Sequence, residues 1–305
     1  MKAVKFDHYG SVDVLQIREV PTPNPGNYQY LVRVKAAGIN PGEDSIREGK
    51  LEHLFPTKFP SGEGSDFAGI IEKIGEGSKG FEIGDEVIGF TNNRDSHAEY
   101  VLAEENQLII KPKNVSWEVA GALFVVGTTA WACIQAVELK STDTVVVSGA
   151  AGGVGSIVVQ LAKNIGAKVI GLAGEANQDW LKEMGVIPVI YGEGQIDRIR
   201  SLINGPINAF IDTFGKGYVE LAIELGVSPN RINTIIDFEA VHKFGIKSEG
   251  SGKAASSEVM NELAMLLSTG KLLIPIAKTF PLNQVALAYQ ELQNRHTRGK
   301  IVLIP

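Results

Sequence analysis

The stretch Thr144–Ser156, TVVVSGAAGGVGS, limits the possible folds more than any other part of this chain. A threonine and three valines favour a buried strand. Ala150-x-Gly152-x-x-Gly155 then opens the apolar-striped segment Gly153–Ile165, which reads as a helix. A strand, a glycine turn and a helix in that order form the setting of a dinucleotide fingerprint. A side chain at Gly152 would obstruct a pyrophosphate, and Gly155 lets helix and strand pack closely. The backbone N–H groups of Gly153, Val154 and Gly155 would face the phosphates, with Ala150 standing where the first glycine usually is.

The surrounding pattern extends this unit. Strands are expected at Thr144–Ser148, Lys168–Leu172, Pro188–Ile190, Ala209–Asp212, Arg231–Asp237 and Phe244–Lys247. Helices fall between most of them, most clearly Gly153–Ile165 and Ala176–Met184. The alternation predicts an α/β domain with a doubly wound parallel sheet. Residues 1–115 differ, with short alternating runs such as Tyr30–Lys35, Gly69–Ile74 and Glu86–Phe90 between turn residues. They predict a small β-rich barrel or sandwich. SWEVAGALFVVGTTAWACIQAV reads as helix, loop and helix, capped at Ser116. SEVMNELAMLLSTG reads as an amphipathic helix ended by Gly270, and the tail as strand, helix and strand. The expected division is a β-rich domain of residues 1–115 and 260–305 around a dinucleotide-binding domain of residues 116–259.

Charge and cysteine usage narrow the function. Net charge is −6 and no basic run is visible, which argues against a nucleic-acid surface. The single cysteine, Cys133, excludes an intrachain disulfide and a cysteine-based zinc cage. It lies in the apolar segment TAWACIQAV and reads as core. No uncharged apolar run spans a membrane and MKAVKFDHYG lacks the apolar core of a signal peptide, so a cytoplasmic setting is expected.

The cofactor preference rests on the end of the second strand, KVIGLAG. An NAD enzyme usually carries an acid there for the ribose 2′-hydroxyl. Here the strand ends without one, and Glu175 lies just beyond. The small Ala173 and Gly174 leave room for a 2′-phosphate, which points to NADP(H). Tyr191 and Arg298 are candidate phosphate partners. Phe214, Phe238 and Ile246 fall at the carboxyl edge of the late strands and could flank the cofactor, with core packing the alternative for Ile246.

Several stretches together resemble the medium-chain dehydrogenase/reductase family, in its zinc-free quinone oxidoreductase branch. They are AAGINP (Ala36–Pro41), SDFAGIIEKIGEGSKGFEIGDEVIGF (Ser65–Phe90), GTTAW (Gly127–Trp131), GAAGGVGSIVVQLAKNIGAKVIG (Gly149–Gly171) and GKIVLIP (Gly299–Pro305). The resemblance implies a GroES-like catalytic domain built from both chain ends, a Rossmann domain between them, NADPH as cofactor and a homodimer. Zinc enzymes of that family keep a cysteine where this chain has Asn40, and Gly-His-Glu where it has Gly64-Ser65-Asp66. Val125 and Val126 occupy the region of the third ligand. His53 and His97 read as solvated or packed rather than as substitutes.

Without a metal, the acceptor must delocalise incoming charge itself, as a quinone or an α,β-unsaturated carbonyl does. Asn40 could donate its amide to a carbonyl oxygen, or could simply be a turn residue before Pro41; the resemblance implies a role near the nicotinamide, in contact with the cofactor. Thr128 and Thr129 are expected to begin a helix facing the nicotinamide, or to cap it. Relatives often continue the first motif as N-P-x-D-x-Y-x-R; here Glu43 replaces the aspartate and Ser45 the tyrosine, and Glu43 and Arg47 could pair at i, i+4. Two other readings are a reductase of short enoyl thioesters and an NADP(H)-responsive binding protein for nucleic acid. Against them stand the missing basic entrance and the acidic balance.

Overall fold

The computed structural model describes residues 1–305, which form two compact units. The first comprises Met1–Val125, Ser256–Ser268 and Ile274–Pro305; the second comprises Val126–Ala255 and Thr269–Leu273. The division falls at 125/126 rather than the expected 115/116. The short helix Trp117–Gly121, with the Ser116 hydroxyl accepting from Val119 N–H, packs on the β-rich unit. A Cβ on Gly121 would lie 2.4 Å from Ala36 O, so that close approach needs glycine.

In chain order the first unit contributes β1 (Lys2–Lys5), β2 (Gln16–Glu19), β3 (Gln29–Gly38), β4 (Asp66–Ile74), β5 (Glu86–Phe90), β6 (Tyr100–Glu104) and β7 (Leu108–Ile110). The second contributes β8 (Thr144–Val147), β9 (Lys168–Ala173), β10 (Ile187–Ile190), β11 (Ala209–Asp212) and β12 (Ile232–Thr234). The chain then supplies β13 (Ile276–Pro281) and β14 (Lys300–Ile304) to the first unit.

The first unit is the GroES-like domain. Its main sheet runs β13-β14-β3-β4-β5-β7, and β6 also pairs with β3. Alternation along β3 sends Tyr30, Val32 and Val34 into a core with Phe67, Ile71, Val87 and Val101. The tail enters as a parallel β13–β14 pair, with β14 antiparallel to β3. That register sets Lys300 at the start of an otherwise apolar strand, where it is buried.

The second unit is a Rossmann sheet of parallel strands in the order β10-β9-β8-β11-β12. The order reverses on either side of β8, and open α/β sheets bind ligands at the carboxyl ends of the strands beside such a switch point. Its core is built from Val146, Ile170, Leu172, Phe210, Val219 and Ile232. The expected strand at Arg231–Asp237 shortens to Ile232–Thr234, because Asp237 caps the helix Phe238–Phe244 through a bond from Ala240 N–H. The strand expected at Phe244–Lys247 is only a bridge between Asn233 and Lys247. Phe244 ends the helix, and Gly245 turns the chain at φ 65°. Cys133 is core as expected, and burial pushes its thiol up to about 12. No helix is long and apolar enough to cross a membrane.

Candidate active site

The two glycines of the turn have different physical reasons. A Cβ on Gly155 would lie 2.1 Å from Gly149 O and 3.0 Å from Ala150 Cα, so helix packing on the turn excludes it. A Cβ on Gly152 would meet only Gly149 O, at 3.2 Å, and otherwise open space. Gly152 has φ −73° and caps the helix Gly153–Ile165; the left-handed residue is Gly149, at φ 59°. The first helical bond runs from Ser156 N–H to Gly152 O, so no carbonyl one turn back accepts from Gly153, Val154 or Gly155, and no side chain caps this end. Ala150 is fully buried and its N–H donates to Leu172 O, so it ties the turn to β9 rather than offering a donor to a ligand.

At the end of β9, Gln178 Nε2 donates to the carbonyls of Ala173 and Gly174, at 2.9 and 3.2 Å. Glu175 is exposed at the start of the next turn. The Tyr191 hydroxyl lies 3.3 Å from the place a Gly174 Cβ would take. Arg298 belongs to the other unit, in the loop before β14.

Phe214 follows β11 and packs edge-on against Tyr218, and Phe238 is 54% exposed at the first turn of its helix. Ile246 packs into the Rossmann core, which favours the core alternative for it. Thr128 and Thr129 lie in the second turn of the helix Phe124–Ala136, not at its start, and both are buried. Neither caps the helix.

A carboxylate that sequence reasoning passed over organises the crevice rim. Asp212 Oδ1 accepts from Ser148 Oγ (2.6 Å), Phe214 N–H (3.0 Å) and Gly215 N–H (2.9 Å), and Oδ2 accepts from Thr234 Oγ1 (2.7 Å). Polar residues ending the apolar runs TVVVS and AFID were the available signal.

The first unit holds a buried polar centre around Asn40, which is 4% exposed. Asn40 precedes the helix Pro41–Arg47, its backbone oxygen accepting from Glu43 N–H while its own N–H donates to Glu43 Oε2. Its Nδ2 donates to Glu43 Oε1 and Asp66 Oδ2, each at 3.2 Å. Its Oδ1 accepts from Lys300 Nζ at 2.5 Å. Carboxylates on one side and an ammonium on the other fix the amide orientation, and both amide protons are taken. Asn40 therefore positions this centre and has no donor left for a substrate carbonyl.

Lys300 Nζ also donates to Ile39 O at 2.6 Å and lies 3.7 Å from Asp66 Oδ2, whose other oxygen accepts from Val125 N–H. Glu43 accepts from Asn40 N–H, Ser65 N–H and the Tyr289 hydroxyl, the last at 2.6 Å. It makes no pair with Arg47, which turns instead to Glu63 and Asp44. His53 is exposed. His97 is buried, with Nε2 3.2 Å from Gly38 O, so its proton belongs on Nε2. No group of three His, Cys, Asp or Glu side chains is placed to hold a metal ion.

This centre carries four carboxylates, Glu43, Asp44, Glu63 and Asp66, against two cations. Burial pushes Glu63 up to about 8, against the pull of Arg47, and Asp66 up to about 6, against that of Lys300. Burial takes His97 down to about 4. The signs give a pH profile. Raised acids stabilise the fold while protonated and lose that contribution as pH rises through their folded values; the depressed histidine contributes above its ordinary value and loses this as pH falls. Asp66 and His97 oppose each other between about 4 and 6.5, which leaves Glu63 dominant above. The melting temperature is expected to fall by roughly 5 °C between pH 6.5 and 9. Glu63→Gln, which removes the titrating group, should flatten that slope. A wild-type melting temperature constant over this range, measured by scanning calorimetry, would contradict the assignment.

Comparison with known proteins agrees with both halves of this architecture. The model of the alcohol dehydrogenase GroES-like domain matches residues 26–138, and zinc-binding dehydrogenase models match residues 153–226 and 191–303. A quinone oxidoreductase of Pseudomonas aeruginosa is 30% identical over 329 residues, covering 100% of this chain and 99% of the relative. A chloroplastic NADPH-dependent alkenal/one oxidoreductase of Arabidopsis thaliana is 27% identical, covering 100% of this chain and 80% of the relative. The solved structure of Escherichia coli quinone oxidoreductase complexed with NADPH aligns over 100% of both chains, with a TM-score of 0.87 and 25% identity. A Rossmann unit joined in one chain to a GroES-like unit defines an oxidoreductase of the alcohol dehydrogenase type. Within that class, the chain belongs to the medium-chain dehydrogenase/reductase family, among its quinone oxidoreductases.

Proposed function

We propose that this protein is an NADPH-dependent reductase of quinones or α,β-unsaturated carbonyls that works without a metal. The observation that carries the metal-free part is the Lys300 ammonium, held by Ile39 O and Asn40 Oδ1 beside Asp66. The family resemblance puts Asn40 at the cysteine position of the metal enzymes, Ser65 at the histidine position, and Val125 and Val126 in the region of the third ligand, with Asp66 where their glutamate follows the histidine. Here a fixed internal cation stands among them, and amide and hydroxyl groups are poor zinc ligands. A further divalent cation there would be repelled by the lysine. With Asn40 fully engaged, an acceptor that spreads incoming charge over its own conjugated system fits best.

The cofactor fits the second unit. Gly152 leaves space for the pyrophosphate, and the N–H groups of Gly153, Val154 and Gly155 would hold it. Gly174 and the Tyr191 hydroxyl would receive the 2′-phosphate, and Phe214 and Phe238 would flank the bound molecule. When bound, NADPH supplies a hydride from its nicotinamide. The names of the Arabidopsis and Escherichia coli proteins support the same cofactor and acceptor classes.

Titration of the purified protein with NADPH and with NADH, followed by nucleotide fluorescence, tests this reading. NADPH should bind about tenfold more tightly, as one phosphate contact of modest strength would give. Equal or tighter NADH binding would move Glu175 into the ribose-binding role. Absence of binding by both would overturn the dinucleotide reading.

A further inference from the structure

We propose that Asp212 is a positioning residue that locks the rim of the dinucleotide crevice into one rigid piece; the inference rests on the cofactor reading above. Asp212 is fully buried at the carboxyl end of β11. An isolated buried carboxylate is costly, and this one is satisfied entirely by the ends of neighbouring strands and by the loops leaving them. Ser148, the residue after β8, donates to it, and the Ser148 hydroxyl in turn accepts from Thr213 N–H at 3.0 Å. Thr213 Oγ1 donates back to Ser148 O at 2.7 Å. Thr234, the last residue of β12, donates to the other carboxylate oxygen, and its hydroxyl accepts from Ile236 and Asp237 N–H at 3.3 and 3.0 Å.

Three loops meet at this one group. The glycine turn begins one residue after Ser148. The loop after β11 carries Phe214, held through its own N–H. The loop after β12 leads to Phe238. The contact between loops is also steric: a Cβ on Gly149 would lie 2.8 Å from Thr213 Oγ1, so the turn and the β11 loop leave no slack. An arrangement made only for stability could sit anywhere along the strands. This one sits at their carboxyl ends, beside the reversal of strand order, where open α/β sheets bind ligands. Fixing the rim before the ligand arrives removes ordering entropy from binding, so the network raises affinity without touching the dinucleotide.

The test compares Ser148→Ala and Asp212→Ala with wild type. Ser148→Ala leaves Asp212 three of its four donors and is the milder change. NADPH dissociation constants are measured by calorimetry, at a temperature where each protein is folded. Amide hydrogen exchange is followed for residues 149–155 and 213–217 without ligand. The expected result is roughly tenfold weaker NADPH binding for Ser148→Ala, with faster exchange in those two segments, and a larger loss for Asp212→Ala where it folds, with faster exchange extending to residues 235–237. If Ser148→Ala loses melting temperature but keeps wild-type NADPH affinity, the network is only structural and the inference fails. If wild type itself binds no NADPH, it is the cofactor reading that fails, and the exchange pattern then shows independently whether Asp212 couples the loops.

Discussion

Gly152→Val is expected to weaken NADPH binding by about 100-fold or more while changing the melting temperature by only a few degrees. Gly152 has an extended backbone that valine can adopt, so no positive-φ strain arises. A new Cβ there meets one protein atom, Gly149 O at 3.2 Å, which must give by a few tenths of an ångström. The β-branched side chain would therefore stand in open space beside the helix N-terminus, where the N–H groups of Gly153, Val154 and Gly155 would meet the pyrophosphate. Gly155 is the contrast, since any side chain there collides with the backbone of Gly149. Calorimetry with NADPH and a thermal melt of the same variant separate the two effects. Near wild-type affinity in Gly152→Val would remove the glycine turn from the phosphate site.

Lys300→Met should destabilise the protein by about 3–5 kcal/mol at pH 8, the usual cost of leaving a buried charge without its partner. Methionine fills much of the same volume, so the loss is electrostatic. Asp66 would keep Asn40 and Val125 as donors but lose its counter-charge, and Glu43 would lose the same cation. Protonation offers the escape. Asp66 already stands near 6 with the lysine present, so the penalty should shrink toward pH 5. Lys300→Met/Asp66→Asn should recover part of the loss. Denaturant titrations of the single and double variants at both pH values measure this, and a loss below about 1 kcal/mol at pH 8 would show that the ammonium is not the counter-ion of this centre.

The sequence made the local features legible and left the long-range ones hidden. The β8 strand, the glycine turn and the following helix could be read because consecutive residues encode them through side-chain branching, spacing and a missing Cβ. Asn40 was legible as a position of interest, but its engagement was not. Its partners include Asp66, 26 positions along the chain, and Lys300, 260 positions along. No local periodicity carries such pairings. Arg47 illustrates the same limit, since its helical spacing offered Glu43 while burial turned it to Glu63 and Asp44. Ile246, which packs into the Rossmann core, stayed open in the sequence because an apolar residue near a strand end has the same signature whether it packs inward or flanks a ligand.

The central claim is metal-free reduction of a conjugated acceptor at the expense of NADPH. Steady-state oxidation of NADPH by a small panel of quinones and enones, run with and without a strong chelator on protein whose zinc content has been determined, tests it most directly. The account predicts turnover with at least one acceptor class, no change on chelation and no stoichiometric zinc. One tightly held zinc per chain, activity lost with its removal, or no turnover with any acceptor on the panel would contradict it.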